Sequence, residues 1–335
     1  MDCLDLCCKN PEACTHVCPN HGLKFVQQNR EVSGFSLDNI ARTAVCDYSL
    51  AYGIVPLVYH GSRRAQLASG PVFALRLSDL VNFKKASLHY ETREALCRSF
   101  GINENADIIL TGVNHDHRIE PWWSLGEGRR VPLVAGLKNL GVKLVTAPNF
   151  SLVLDRPRTD DLHAIKRIGI VWAEFQQGGL ACALHPNGRA LRDFERWGHF
   201  ISERSEIRVL AYEFITGSGQ KHRQQFHLEG LAGLARLAGR PLDIVVRGDP
   251  NVIPILQRDF HRVIYIDTTA FMKTIKRKRA ERVANDALRW VDSPTAFAGE
   301  VDSLYTHNLD EQIAFLRARY YAADAWLNEA PGGRS

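Results

Sequence analysis

The chain reads as an α/β protein of the (β/α)-barrel kind, TIM-barrel-like and irregular at its start, behind a cysteine-rich N-terminal segment. The alternative is an open, doubly wound α/β sheet. Three observations predict this class. Eight short apolar runs rich in β-branched residues recur from residue 54 onward. Longer stretches with helical spacing separate most of them. No Gly-x-Gly-x-x-Gly fingerprint follows the early runs and no Walker-type loop appears, which favours the barrel over the nucleotide-binding open sheet.

The runs are Ile54–Tyr59, Val72–Leu77, Asp107–Thr111, Val142–Thr146, Leu180–Leu184, Ile207–Tyr212, Leu242–Val246 and Val263–Ile266. Nearly continuous apolar runs of this length suit parallel strands buried on both faces. Between them, Thr159 to Gln177 opens on Thr-Asp-Asp and stops at Gly178-Gly179, a start and stop for a helix. Its Leu162, Ile165, Ile168, Trp172 and Phe175 fall on one stripe. Phe226–Leu237 and Thr274–Trp290 have similar character. The first two strands leave no room for a crossover helix, so they form a hairpin or one lies outside the sheet. Residues 22–50 show no clear period. The expected division is therefore a cysteine-rich segment and lead-in over 1–50, a barrel-like domain over 51–295, and a helical extension and tail over 296–335.

The chain has 335 residues, 45% hydrophobic and 24% charged, which is the composition of a globular protein with a sizeable core. A formal charge of +5 permits contact with nucleic acid or acidic metabolites without demanding either. Asp2 and Asp5 stand where a secretory leader carries basic residues. No stretch approaches the roughly 20 apolar residues of a membrane span. The expectation is a cytoplasmic protein with no membrane partner, in a compartment that keeps thiols reduced.

That expectation bears on the opening MDCLDLCCKNPEACTHVCPNH, which holds five of the eight cysteines. Reduced thiols this dense point to a metal rather than to disulfides or core packing. Cys3, Cys7 or Cys8, Cys14 and Cys18 are the candidate ligands, with His16 and His21 beside them and Cys46 and Cys97 as outside substitutes. Zinc knuckles usually stand further apart than the six-residue spacer here, whereas an iron–sulfur cluster accepts a compact set ending in Cys-Pro. A 4Fe-4S cluster is therefore favoured and zinc is the alternative. Neither the ferredoxin spacing nor that of the radical S-adenosylmethionine enzymes is present, since His21 follows Cys14-x3-Cys18. Cys182, inside a strand, reads as core.

Catalytic groups of a parallel barrel gather where strands end and the following loops begin. Reading those positions gives His60, Asp79, Asn114-His115-Asp116-His117, Asn149, His185, Glu213, Arg247-Gly-Asp249 and Asp267. His115, Asp116, His117, Glu213, Arg247 and Asp249 are the candidate catalytic residues. The histidines and carboxylates would act as acid, base or metal ligand, and Arg247 would hold an anion. Asp249 and Asp267 also suit helix caps, and Glu213 and Arg247 can pair as scaffold. Two basic features bear on nucleic acid: Arg63-Arg64 on a Gly-Ser loop, and Lys276, Arg277, Lys278 and Arg279 with Lys273 and Arg282 on an expected late helix. Such a run also reads as a solvated helical face.

Ala147-Pro-Asn-Phe-Ser151, Arg156-Pro157, the helix that follows, Gly178-Gly-Leu-Ala-Cys-Ala-Leu-His185 and a strand ending near Glu213 carry a likeness. Over about residues 105–270 the chain resembles an uncharacterised family of bacterial mobile elements and phages, a domain of unknown function. The resemblance implies a barrel or α/β scaffold in a mobile-element setting and no particular reaction. The resulting expectation is a metal-containing barrel enzyme acting on a nucleic acid or nucleotide-like substrate. The alternative is an iron–sulfur or zinc protein that binds nucleic acid or regulates without catalysis, and a third reading is a degenerate barrel that serves only in assembly.

Overall fold

The computed structural model describes residues 22–62, 64–153, 156–215, 217–284, 286–296 and 298–322. Eight parallel strands carry the fold, and each falls within or beside one of the apolar runs. They are β1 (Ile54–Pro56), β2 (Val72–Arg76), β5 (Asp107–Thr111), β6 (Val142–Thr146), β7 (Cys182–Ala183), β8 (Val209–Phe214), β9 (Asp243–Gly248) and β10 (Arg262–Asp267). Two four-stranded parallel sheets result, in the orders β1-β10-β9-β8 and β2-β5-β6-β7. Two single parallel bridges link them, Leu57 with Ala74 and Leu184 with Leu210.

The strands alternate in what they bury. Val55, Val72, Ala74, Ile109, Leu144, Ala183, Val209, Ala211, Val245, Ile264 and Ile266 form a smaller cluster to which all eight parallel strands contribute. The residues between them, such as Phe73, Ile108, Leu110, Val145, Leu210, Ile244 and Val263, join the larger cluster with the helices. A period of two in the strands thus separates an inner from an outer face.

The helices are α1 (Gly22–Glu31), α2 (Leu77–Leu80), α3 (Arg93–Phe100), α4 (Asp116–Ser124), α5 (Glu127–Asn139), α6 (Arg158–Gln177), α7 (Leu191–Ser202), α8 (Lys221–Ala238), α9 (Ile253–Leu256), α10 (Thr269–Ile275) and α11 (Ala298–Tyr320). Two of the three expected crossover helices correspond to α6 and α8. α6 is buried on nearly every side, including the charged Arg158, Asp161, Lys166, Arg167 and Glu174. Those charges are compensated: Arg130 of α5 donates to both oxygens of Glu174 at 2.6 Å, and Asp161 accepts from Arg189 at 2.8 Å.

Three expectations need correction. β1 and β2 do not form a hairpin: the bridge beside them is parallel, and the two strands belong to different four-stranded sheets, as the other expectation for them had it. Residues 22–31, without a clear period in sequence, form α1; it buries none of its residues fully and so carries no strong apolar stripe. The expected helix over Thr274–Trp290 is instead the end of α10 and an antiparallel hairpin of β11 (Lys278–Ala284) and β12 (Ala287–Asp292). Arg277, at φ 54°, turns the chain left-handed and ends the helix. Alternating Ala280, Arg282 and Ala284 then fits a strand with one buried position, Ala280. A further small hairpin joins β3 (Val81–Asn82) to β4 (Ser87–Leu88).

An extended segment packs at the amino ends of the strands. Leu50 is buried in the inner cluster, and Arg262 donates to its carbonyl at 2.8 Å. Tyr48 donates to Asp243, which also accepts from Arg262 at 2.5 Å. Arg42 forms a paired contact with Glu206 at 2.7 and 2.9 Å. The polar groups at this end are thereby spent on one another.

Candidate active site at the carboxyl ends of the strands

Carried one step further, the period of two places Tyr59, Arg76, Thr111, Thr146, Glu213 and Arg247 in phase with the inner face, at the carboxyl ends of their strands. Their contacts agree with that placement. Glu213 and Arg247 are direct register partners on β8 and β9, and the guanidinium lies 3.3 Å from Glu213 Oε1. Each side chain is 15% exposed. Arg247 Nη2 donates to the Tyr59 hydroxyl at 3.4 Å. The Arg76 guanidinium lies over the face of the same tyrosine, 4.7 Å from its centroid, and Arg76 Nε donates to Asp79 at 2.5 Å. Two arginine–carboxylate pairs thus meet on one aromatic ring.

Glu213 is the electrostatically unusual member. Burial pushes its carboxyl up to about 7, against the pull of Arg247 in the other direction. Neither Glu213 Oε1 nor Arg247 Nε has a hydrogen-bond partner, so the pair is an ion contact rather than a saturated fork. Such a carboxyl changes protonation near neutral pH, as a proton-transfer group must.

Local backbone makes room for this arrangement. Gly248, between Arg247 and Asp249, has φ 118°, and a Cβ there would stand 2.2 Å from the Phe214 carbonyl oxygen. Its own carbonyl accepts from the Tyr265 hydroxyl at 2.8 Å. Only glycine permits both the turn and the approach of β9 to β8 at this point. Gly112 serves likewise after β5, where a Cβ would meet the Thr146 carbonyl at 2.2 Å.

The other sequence-predicted positions have different fates. Asp249 caps the following turn, accepting from the Asn251 amide at 3.0 Å, and it also accepts from Gln224 at 3.0 Å. Asp267 is buried and caps α10 through the amides of Thr269 and Ala270, with Gln312 on its other oxygen. Both are therefore accounted for as caps. His115, Asp116 and His117 open α4 and are exposed. The imidazole rings stack at 5.9 Å, and Asp116 accepts from Ser151 at 2.6 Å. No hydrogen bond or ion pair joins these three residues to Glu213, Arg247 or Asp249 among the described residues. His185 is not at the mouth surface. It is fully buried against Tyr212 at 5.2 Å, and burial pulls its imidazole down to about 3.

Two members of the basic run are ion-paired. Lys278 pairs with Asp292 and Arg282 with Glu311, while Arg279 contacts His307. Arg277 spends Nη1 on the carbonyls of Thr274 and Ile275. Lys276 is exposed. Arg64 donates to the Phe100 carbonyl and lies over the Tyr305 ring at 4.7 Å. Arg63 lies outside the described residues, as do Cys3, Cys7, Cys8, Cys14 and Cys18. Among the described residues no group of three or more histidine, cysteine and carboxylate side chains is arranged to hold a metal. Cys97 and Cys182 are buried in the core, and Cys46 donates to the Gln176 carbonyl at 3.2 Å; burial raises all three thiols.

Tyr59 and Arg76 were absent from the residues expected at this site. The signal for both was phase: they extend the inner-facing alternation of Val55-Leu57 and Val72-Ala74 by one step. No protein-family model matches the chain, and no curated protein sequence matches it.

Proposed function

We propose that the chain is an enzyme performing proton-transfer chemistry on a small anionic, nucleotide-like substrate at the carboxyl ends of its parallel strands. Glu213 is the proton carrier, and Arg247 and Arg76 hold the anion beside Tyr59. The observation that carries this reading is the half-neutralised Glu213–Arg247 contact, with a carboxyl pushed up to about 7 and one oxygen without a hydrogen bond. A carboxyl in that state can give or take a proton at neutral pH, and an arginine paired so loosely can exchange its carboxylate for a phosphate.

We further infer that the two sheets close on each other as an eight-stranded (β/α) barrel. The bridges Leu57–Ala74 and Leu184–Leu210 support it, as does the inner cluster drawn from all eight parallel strands. The N-terminal cysteines, on this reading, hold a 4Fe-4S cluster. Anaerobic purification with an absorption spectrum and iron and sulfide analysis tests that part; stoichiometric zinc without colour, or no metal, overturns it.

The test of the site is calorimetric titration with a panel of nucleoside monophosphates in buffers of different ionisation enthalpy. An anion that draws Arg247 away leaves Glu213 less compensated and raises its pKa further, so binding at pH 7.5 takes up a proton. Glu213→Gln is expected to abolish the uptake, and Arg247→Met to abolish the binding. Absence of any binding sensitive to Arg247→Met or Arg76→Met overturns the proposal.

A further inference from the structure

A second cavity lies on the flank of the strands, between the loop after β1, α10 and α11. Its volume is about 280 Å³, and Arg64, Arg277, Tyr305, Phe271, Ile275 and Val301 line it. Two features set it apart from a packing defect. The first is its polar atoms. Arg64 Nη2 is engaged by the Phe100 carbonyl, but Nε and Nη1 are buried without an acceptor, and so is the Tyr305 hydroxyl. Donors removed from water and left unpaired cost folding free energy that an occupant would return.

The second is backbone geometry at the rim. Arg277 sits in the left-handed region at φ 54°, where a long side chain is disfavoured, and it is one of the residues that line the cavity. Nη1 rests on the carbonyls of Thr274 and Ile275, and no carboxylate pairs with Arg277 among the described residues. Asp302 acts on Arg64 through its charge without an ion pair; its Oδ2 accepts from the amides of Ala65 and Gln66, and its Oδ1 is buried without a hydrogen bond. Arg64, with two unpaired donor atoms, and Arg277 therefore line one space together with Phe271, Ile275 and Val301.

We propose that this cavity binds a small organic anion, with its oxyanion on Arg64 and Arg277 and an apolar body against Phe271, Ile275 and Val301. A bare inorganic ion would leave the apolar wall uncovered, and a neutral apolar molecule would leave both arginines unpaired. The site is separate from the mouth, although the Phe271 ring neighbours both Tyr305, at 5.9 Å, and Tyr59, at 5.4 Å.

The experiment titrates the full chain with benzoate, phenyl phosphate, inorganic phosphate and neutral benzamide, followed by calorimetry or ligand-observed NMR. Saturable binding of benzoate or phenyl phosphate is expected, with benzamide and inorganic phosphate at least about tenfold weaker, since each lacks half of the recognition. Arg277→Gln is expected to weaken binding and Val301→Phe, which fills the cavity, to remove it. Arg247→Met, which disables the mouth, leaves it intact. Arg64 holds the end of α3, so Arg64→Gln is a supplementary variant and the other two carry the test. Equal binding of benzamide, no binding of either organic anion, or binding lost in Arg247→Met but unmoved in Arg277→Gln overturns the proposal.

Discussion

At the scale of single residues, Glu213 and His185 are both buried and titratable, and burial acts on them with opposite consequences for stability. Glu213 has a folded pKa of about 7, above its ordinary 4.5, so the folded chain binds more protons than the unfolded chain between those values. Stability from this group is full below about pH 4.5 and is lost as pH rises to 7. Glu213→Gln is therefore expected to stabilise the chain by roughly 1–3 kcal/mol at pH 8 and by little at pH 4.5, read from urea unfolding at the two pH values. His185 and His227 run the other way. Burial lowers them to about 3 and about 4, and Tyr212 bridges them, stacked on one and 2.7 Å from Nδ1 of the other. The unfolded chain takes up protons first as pH falls below about 6.5. Each histidine is expected to cost about 2 kcal/mol of stability between pH 7.5 and pH 5, and His185→Phe to remove one such share. A unchanged pH dependence in that variant would sink the assignment.

At the scale of elements, the tie between α5 and α6 is a buried ion pair rather than an apolar seam alone. Arg130 and Glu174 are each under one-tenth exposed and meet through two hydrogen bonds. Glu174→Gln or Arg130→Met leaves one charge buried without its partner, which costs about 3–5 kcal/mol. The double replacement Arg130→Met with Glu174→Leu is expected to recover most of that loss, because the desolvation penalty of both ions vanishes together. A double variant as unstable as the singles, by urea unfolding, would contradict this account. Element boundaries also show where sequence periodicity misleads. Thr274 through Trp290 reads as a helix because long basic side chains are good helix formers and carry no period of their own. The left-handed Arg277 and the buried Ala280, whose amide binds Asn308 of α11 at 2.8 Å, are tertiary facts.

At the scale of the whole molecule, the two parallel sheets share one inner cluster, and the closure proposed above gives a measurable consequence. The Val58 amide donates to Ala74 at 2.9 Å, and beside β8 the Leu184 amide donates to Val209 at 3.0 Å while the Leu184 carbonyl accepts from Ala211 at 2.7 Å. In a closed ring these seam amides exchange hydrogen only through global unfolding, as the central amides of β5 and β9 do. Fast exchange at Val58 and Ala211 with slow exchange at Ile109 and Val245 would show two sheets that open independently. The mouth depends on the same assembly, since Tyr59 comes from beyond β1, Arg76 from β2, Glu213 from β8 and Arg247 from β9.

The sequence by itself determined the eight parallel strands, the two long crossover helices and the polar ends from which Glu213 and Arg247 come. It could do so because a strand buried on both faces must be written as an unbroken apolar run, and because the first polar residue after such a run marks its end. It could not separate Asp249 and Asp267, which cap local turns, from Glu213, which caps nothing; all three are carboxylates after a strand. It also passed over Tyr59 and Arg76, whose importance comes from facing inward beside strands distant in the chain. Which polar group is spent on its own backbone and which is left facing another strand is decided by packing between elements. That was settled only in the tertiary structure, where burial raises one carboxyl and leaves it against a single arginine.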